Sequence, residues 1–145
     1  HNTFTAVSSA RTFRPPRITP KPRIHGLMTG IVQVGTDGVG VDAKLDAKGR
    51  YQVQLHFDNT EYEDRACSLP VRMAQPFAGP AQGMHYPLRP GTEVAIGFVG
   101  GDPDRPVIVG ALPNQLTASV VTSSDAHMHR VRSRHGLLVE FGKTL

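Results

Sequence analysis

The sequence predicts an all-β protein organised around a small barrel of roughly five strands. Three observations carry that expectation. Apolar and polar residues alternate at period two in several short runs, which sends one row of side chains into a core and the other outward. The 15 Gly and 12 Pro of this 145-residue chain punctuate those runs at turn-like spacing. No window of useful length has the periodicity of an amphipathic helix. Strand counting alone does not choose between barrel types.

Residues 1–25 read as an arm. Pro15, Pro16, Pro20 and Pro22 restrict themselves and the residues before them to extended backbone, so polyproline-like geometry is expected and helix is not. Arg11, Arg14, Arg17, Lys21 and Arg23 give this stretch a charge of +5 with no acid. No apolar face accompanies those charges, so the arm is not expected to anchor to a membrane. A solvated linker is one reading of it. The overall charge of +4 therefore misleads, because the rest of the chain holds 11 basic against 12 acidic groups, a net −1. A barrel that binds nucleic acid carries its basic surface on the barrel itself.

Residues 26–114 hold the expected barrel. Leu27 to Val34 gives a first strand, with Met28, Gly30, Val32 and Val34 on one face. Gly35-Thr36-Asp37-Gly38 is a turn, Val39 to Leu45 a weaker stretch, and Asp46-Ala47-Lys48-Gly49 a reversal. Tyr51, Val53, Leu55 and Phe57 then alternate with Gln52, Gln54 and His56, the clearest half-buried strand. Asn59 to Arg65 is polar and reads as a loop. From Val71 onward three more strands follow. Val71 and Met73 flank Arg72, Val94, Ile96 and Phe98 alternate with Ala95 and Gly97, and Val107 to Leu112 is nearly all apolar. Pro90-Gly91 opens the second of these, and Gly100-Gly101-Asp102-Pro103-Asp104 reverses the chain before the third.

Residues 115–145 are a connector and a tail. Gln115 to Asp125 is polar and rich in Ser and Thr. Beyond it Val131, Leu137, Val139 and Phe141 share one parity, and Arg130, Arg132, Leu138 and Glu140 share the other, with a bend at Arg134-His135-Gly136. Four apolar side chains do not offset the entropy of ordering about a dozen backbone units, and isolated hairpins are marginal. The tail is expected to be loose in a single copy and ordered in an assembly.

Several motifs in order resemble one family. They are the run Phe13-Arg14-Pro15-Pro16-Arg17-Ile18-Thr19-Pro20-Lys21-Pro22-Arg23-Ile24-His25-Gly26, and the stretch from Asp46 through Gly49-Arg50-Tyr51 to Phe57. Val71-Arg72-Met73-Ala74-Gln75-Pro76-Phe77-Ala78-Gly79, Arg89-Pro90-Gly91-Thr92-Glu93-Val94 and Gly101-Asp102-Pro103-Asp104-Arg105-Pro106 complete the set. Together they resemble the VgrG spike proteins of the type VI secretion system and the related spikes of contractile phage tails. The sequence departs from that pattern where the family has tryptophan. Ser68-Leu69-Pro70 stands in place of the Trp after the cysteine, and Phe77 in place of the second.

The resemblance implies a five-stranded barrel of the oligonucleotide/oligosaccharide-binding (OB) type, with the tail starting an intertwined trimeric β-helix. It implies a structural role in the membrane-puncturing spike of a contractile injection machine that helps deliver effectors. The implied partners are two further copies of the chain, a tube protein, a spike-tip protein and effectors. Contact with the target membrane is mechanical only. Such a protein is assembled in the bacterial cytoplasm and then translocated into a target cell or the extracellular space. Val131, Leu137, Val139 and Phe141 are the expected trimer and shaft interface, and Arg14, Arg17, Lys21 and Arg23 the expected arm contacts onto acidic surface. Arg89, Glu93 and Arg105 are candidates for fixing loops between the barrel and its neighbours.

Reactive chemistry has no visible address in the sequence. His127 and His129 share a strand face with His135 nearby, but no carboxylate or cysteine stands at metal-ligand spacing, so they read as surface or trimer-lining histidines and no metal is expected within one copy, an ion shared by three copies being the alternative. Gly142-Lys143-Thr144 lacks the glycine a phosphate loop needs, since Leu137 occupies that place. The Gly-rich stretch from Gly35 to Gly40 has no following helix. Asp102 and Asp104, between Gly101, Pro103 and Pro106, read as turn formers. Asp58, Glu61, Glu63 and Asp64 read as a solvated cluster, and Cys67 as a small buried residue that has no disulfide partner. No enzyme activity and no cofactor are expected. An envelope-degrading enzyme would need a domain outside residues 1–145. The chain starts at His1, so it is expected to be part of a longer protein; no signal peptide and no apolar run of membrane-spanning length is present. The rival reading is an OB barrel binding nucleic acid or oligosaccharide, which needs aromatic platforms on an open face. Tyr51, Phe57 and Phe98 fall on the inward parity and are not available for that.

Overall fold

The computed structural model describes residues 1–34, 42–43, 45–58 and 70–142. Among these there is no α-helix. The strands are β1 (Met28–Val32), β2 (Val53–Leu55), β3 (Arg72–Met73), β4 (Ala78–Gly79), β5 (Gln82–Gly83), β6 (Glu93–Phe98), β7 (Pro106–Leu112), β8 (His129–Arg132) and β9 (Leu138–Phe141).

Five of them form one sheet in the order β2-β1-β6-β7-β3. Every pairing is antiparallel except β3 with β7. The two edges of this sheet meet where Tyr51 and Val71 exchange backbone hydrogen bonds of 2.8 and 2.7 Å. That bridge curls the sheet into a partly closed barrel of the OB type, which limits the length of free edge. Val32, Tyr51, Val53, Val71, Val94, Ile96 and Ile108 fill its interior, with Leu45, Leu55, Met73, Leu88 and Phe98 packed around them.

Close approach of the strands explains one glycine. Gly30 lies in β1 between β2 and β6. A Cβ there would come within 2.5 Å of the Gln54 carbonyl oxygen, which is backbone and has no easy way to yield. The 46–50 reversal forms as expected. Gly49 takes a left-handed φ of 70°, while the Asp46 carboxylate accepts the Lys48 and Arg50 amides, both at 2.9 Å, and the Arg50 Nε at 2.6 Å. These bonds, with Arg50 foremost, hold the Asp46 carboxyl down at about 2.

Alternation fails in three places, each for a local reason. Phe57 is 66% exposed and does not point inward. The chain turns at His56 and Phe57, with Asp58 N–H donating to Leu55 C=O at 3.0 Å. In β7 the register shifts so that Val109 faces no partner between the Ala95–Gly110 and Ile96–Ile108 pairs. That bulge leaves Val109 exposed and explains why an unbroken apolar run does not bury continuously. Ala95 is buried beside Val94 and Ile96, which a strict period of two does not predict.

The β4–β5 hairpin is an addition to the three strands expected beyond Val71. It turns through Pro80 and Ala81, the latter at a φ of 55°. The Gly35–Gly38 turn, most of the Val39–Leu45 stretch, the Asn59–Arg65 loop and Cys67 lie outside the described residues; of that weaker stretch, Ala43 and Leu45 pack against the core.

Candidate assembly interface

The tail folds into a two-stranded antiparallel sheet in which Val131 faces Val139 and His129 faces Phe141. Opposed residues of such a pair lie on one face, so His129, Val131, Val139 and Phe141 line the same side. The His129 ring stacks on Phe141 at 5.4 Å between centroids. Gly136, at a φ of 90°, allows the reversal, and Ser133 closes it by donating its amide to Leu137 C=O at 2.8 Å. The four apolar residues singled out in the sequence remain open to solvent. Val131 is 37%, Leu137 62%, Val139 41% and Phe141 59% exposed.

The opposite side carries an ion-pair cluster at Arg130 and Glu140 beside the exposed Leu138. Arg130 pairs with Glu140 through Nε, and its Nη1 donates at 2.6 Å to both Asp125 Oδ2 and the Val120 carbonyl. Asp125 also accepts the Thr122 amide at 2.6 Å. That amide first, and Arg130 second, hold the Asp125 carboxyl below its usual range. One guanidinium thus fastens the connector to the outer face of the hairpin and leaves the other face bare. Arg134 adds a link toward the barrel, 3.1 Å from Asp42 Oδ1. Spacing alone does not reveal the Arg130 cluster, because the pairing register of the hairpin must be known first.

The arm residues divide into two groups. Arg14 and Arg17 are exposed and make no hydrogen bond or ion pair among the described residues. Lys21 lies 2.5 Å from Asp102 Oδ1 and 2.6 Å from Asp104 Oδ2, and Arg23 Nη1 donates to the Gly100 carbonyl at 3.0 Å. Asp102 still serves the turn by accepting the Asp104 amide at 2.9 Å. Of the loop candidates, Glu93 accepts from Asn114 Nδ2 at 2.9 Å, tying the start of β6 to the residue where the barrel ends. Arg89 contributes its carbonyl to Thr92 N–H, and Arg105 lies beside Asp102 and Asp104.

Histidines do not gather. Among the described residues no group of three His, Cys, Asp or Glu side chains could hold a metal ion. One cleft is walled by Val53, Leu55, Ile96 and Phe98, and its polar lining is Arg50, Arg72, Asp104 and Arg105. That lining offers no nucleophile paired with a base. No helix among the described residues is long and apolar enough to cross a membrane.

Comparison with known proteins agrees with the motif resemblance. Residues 36–112 match the type VI secretion system/phage-baseplate injector OB domain family. The chain is 37% identical over 111 residues to the type VI secretion system spike protein VgrG4b of Pseudomonas aeruginosa, covering 77% of this chain and 13% of that protein. It is 34% identical over 129 residues to VgrG1b of the same species, covering 88% of this chain and 17% of that protein. Against the spike protein VgrG3 of Vibrio cholerae it is 34% identical over 112 residues, with 70% of this chain and 11% of that protein covered. The chain therefore spans well under a quarter of these relatives.

Proposed function

From a chain that belongs to the type VI secretion system/phage-baseplate injector OB domain family, we propose the barrel and first shaft strands of a threefold spike in a contractile injection machine. Its role in that reading is structural. Three copies place their tails around one axis, and each buries the Val131, Leu137, Val139 and Phe141 face against its neighbours. The spike meets the target envelope mechanically, and a tube protein, a tip protein and effectors are its further partners. It is assembled in the bacterial cytoplasm and carried outward when the machine fires.

The observation that carries this reading is the one-sidedness of the β8–β9 hairpin. Arg130, Asp125 and Glu140 pair across its polar face, which also carries the exposed Leu138, while Val131, Leu137, Val139 and Phe141 on the other face have no cover. A two-stranded sheet with a bare apolar face is marginal alone and gains stability by packing on copies of itself. Axial load is also best borne by strands bonded around a closed section, which the Tyr51–Val71 bridge supports in the barrel.

The test is concentration-dependent amide exchange. Protection across Leu138–Phe141 is expected to rise as the protein is concentrated, while the Ile96 amide stays constant. Tail protection that is complete in dilute, single-copy protein contradicts the reading. The binding-module alternative draws on Phe57, Phe77 and Tyr86, which are exposed aromatics. Its basic charge lies on the arm and not on the barrel, and retention of labelled single strands on a filter would favour it.

A further inference from the structure

The Gly100-Gly101-Asp102-Pro103-Asp104 stretch reads in sequence as a reversal and nothing more. In the structure it also receives another part of the chain. Gly100 and Gly101 adopt φ values of 66° and 72°, a conformation that side chains resist. In that conformation the Gly101 carbonyl accepts the Ile24 amide at 2.9 Å and the Gly100 carbonyl accepts Arg23 Nη1 at 3.0 Å. A Cβ on Gly101 would lie 3.2 Å from the Ile24 carbonyl oxygen. Lys21 forks between Asp102 and Asp104, and Arg105 donates its amide to the Asp102 carbonyl at 2.9 Å.

We infer that this turn is a latch for the root of the arm, gripping Lys21 to Ile24 and fixing the direction in which residues 1–20 leave the barrel. Two backbone carbonyls and two carboxylates hold Lys21, Arg23 and Ile24. The latch sits on the turn that joins β6 to β7, the two longest strands of the sheet. Tension along the arm therefore passes into the β6–β7 ladder at the centre of the barrel and not onto an edge strand. A single exposed ion pair is weak. Here a cation shared between two carboxylates acts together with a backbone bond and a guanidinium bond. The grip is charge-assisted and is screened by salt, while the ladder beneath it is not. It forms within one copy, so it stands or falls independently of the threefold reading.

Amide exchange of the full 145-residue chain tests it at Ile24, with Ile96 as internal reference. The Ile24 amide is expected to be protected at low salt. Lys21→Met and Arg23→Met change only the arm side, and each is expected to speed Ile24 exchange about three- to tenfold, the scale of an exposed charge-assisted contact. Salt at about 1 M, where charges are screened beyond roughly 3 Å, is expected to do the same. Free-chain exchange at Ile24 in the unaltered protein overturns the latch. Identical protection in all three proteins overturns it as well. So does equal acceleration at Ile96, because the barrel and not a latch would then have loosened.

Discussion

Tyr51 joins three parts of the barrel through one residue. Its backbone makes the bridge to Val71, its ring is buried in the core, and its hydroxyl accepts the Leu88 amide at 3.0 Å. Burial pushes its phenol pKa up, partly offset by that amide. Tyr51→Phe keeps the packing but strands the Leu88 N–H, and a loss of about 1–3 kcal/mol is expected in denaturant melts. Asp46 makes the matching case for pH. Its folded pKa of about 2 lies below the ordinary carboxylate value of 3.8, so its contribution is complete above roughly pH 4 and is lost as the pH falls toward 2. A carboxyl titration followed by NMR is expected to find Asp46 still ionised at pH 3, with the 46–50 turn loosening below that in the native protein. Tyr51, Val53, Val94 and Ile96 were legible as core because each falls on the apolar parity of its strand. Phe57 obeys the same alternation yet faces solvent, because strand length is set by where pairing with β1 ends, and parity carries no information about that.

Elements follow from the sequence wherever local chemistry decides them. The Gly49, Gly91 and Gly100 turns occur where Gly and Pro mark them, and β1, β6 and β7 where apolar residues cluster. The β7 bulge was not legible, since it depends on how β7 matches β6 and not on β7 alone. Ile96 and Ile108 meet across that irregularity, both fully buried. Ile108→Ala is expected to cost about 2–5 kcal/mol in a thermal or denaturant melt, because the bulge limits how far the wall can collapse into the space. The tail shows a similar division. Its apolar parity was readable, while the Arg130 cluster needed the register. Arg130→Ala is expected to speed exchange across Leu138–Phe141 and leave Ile96 unchanged, marking a local fastening of the hairpin. Equal loosening of both would place Arg130 in the stability of the whole chain.

For the whole molecule, charge and shape divide the labour. The arm carries +5 and residues 26–145 a net −1, and the tail presents Val131, Leu137, Val139 and Phe141 to solvent. Family membership was legible because several motifs lie in order along the chain. Which faces stay open was not, because exposure is a property of packing. In the proposed spike the Val131, Leu137, Val139 and Phe141 face is covered by copies of itself. Native mass measurement of the purified chain tests this most directly. The expected species is three times the 15.7 kDa of one chain, reduced to a single copy by Val139→Asp. Unaltered protein that stays at 15.7 kDa at high concentration, or a trimer indifferent to Val139→Asp, would contradict it.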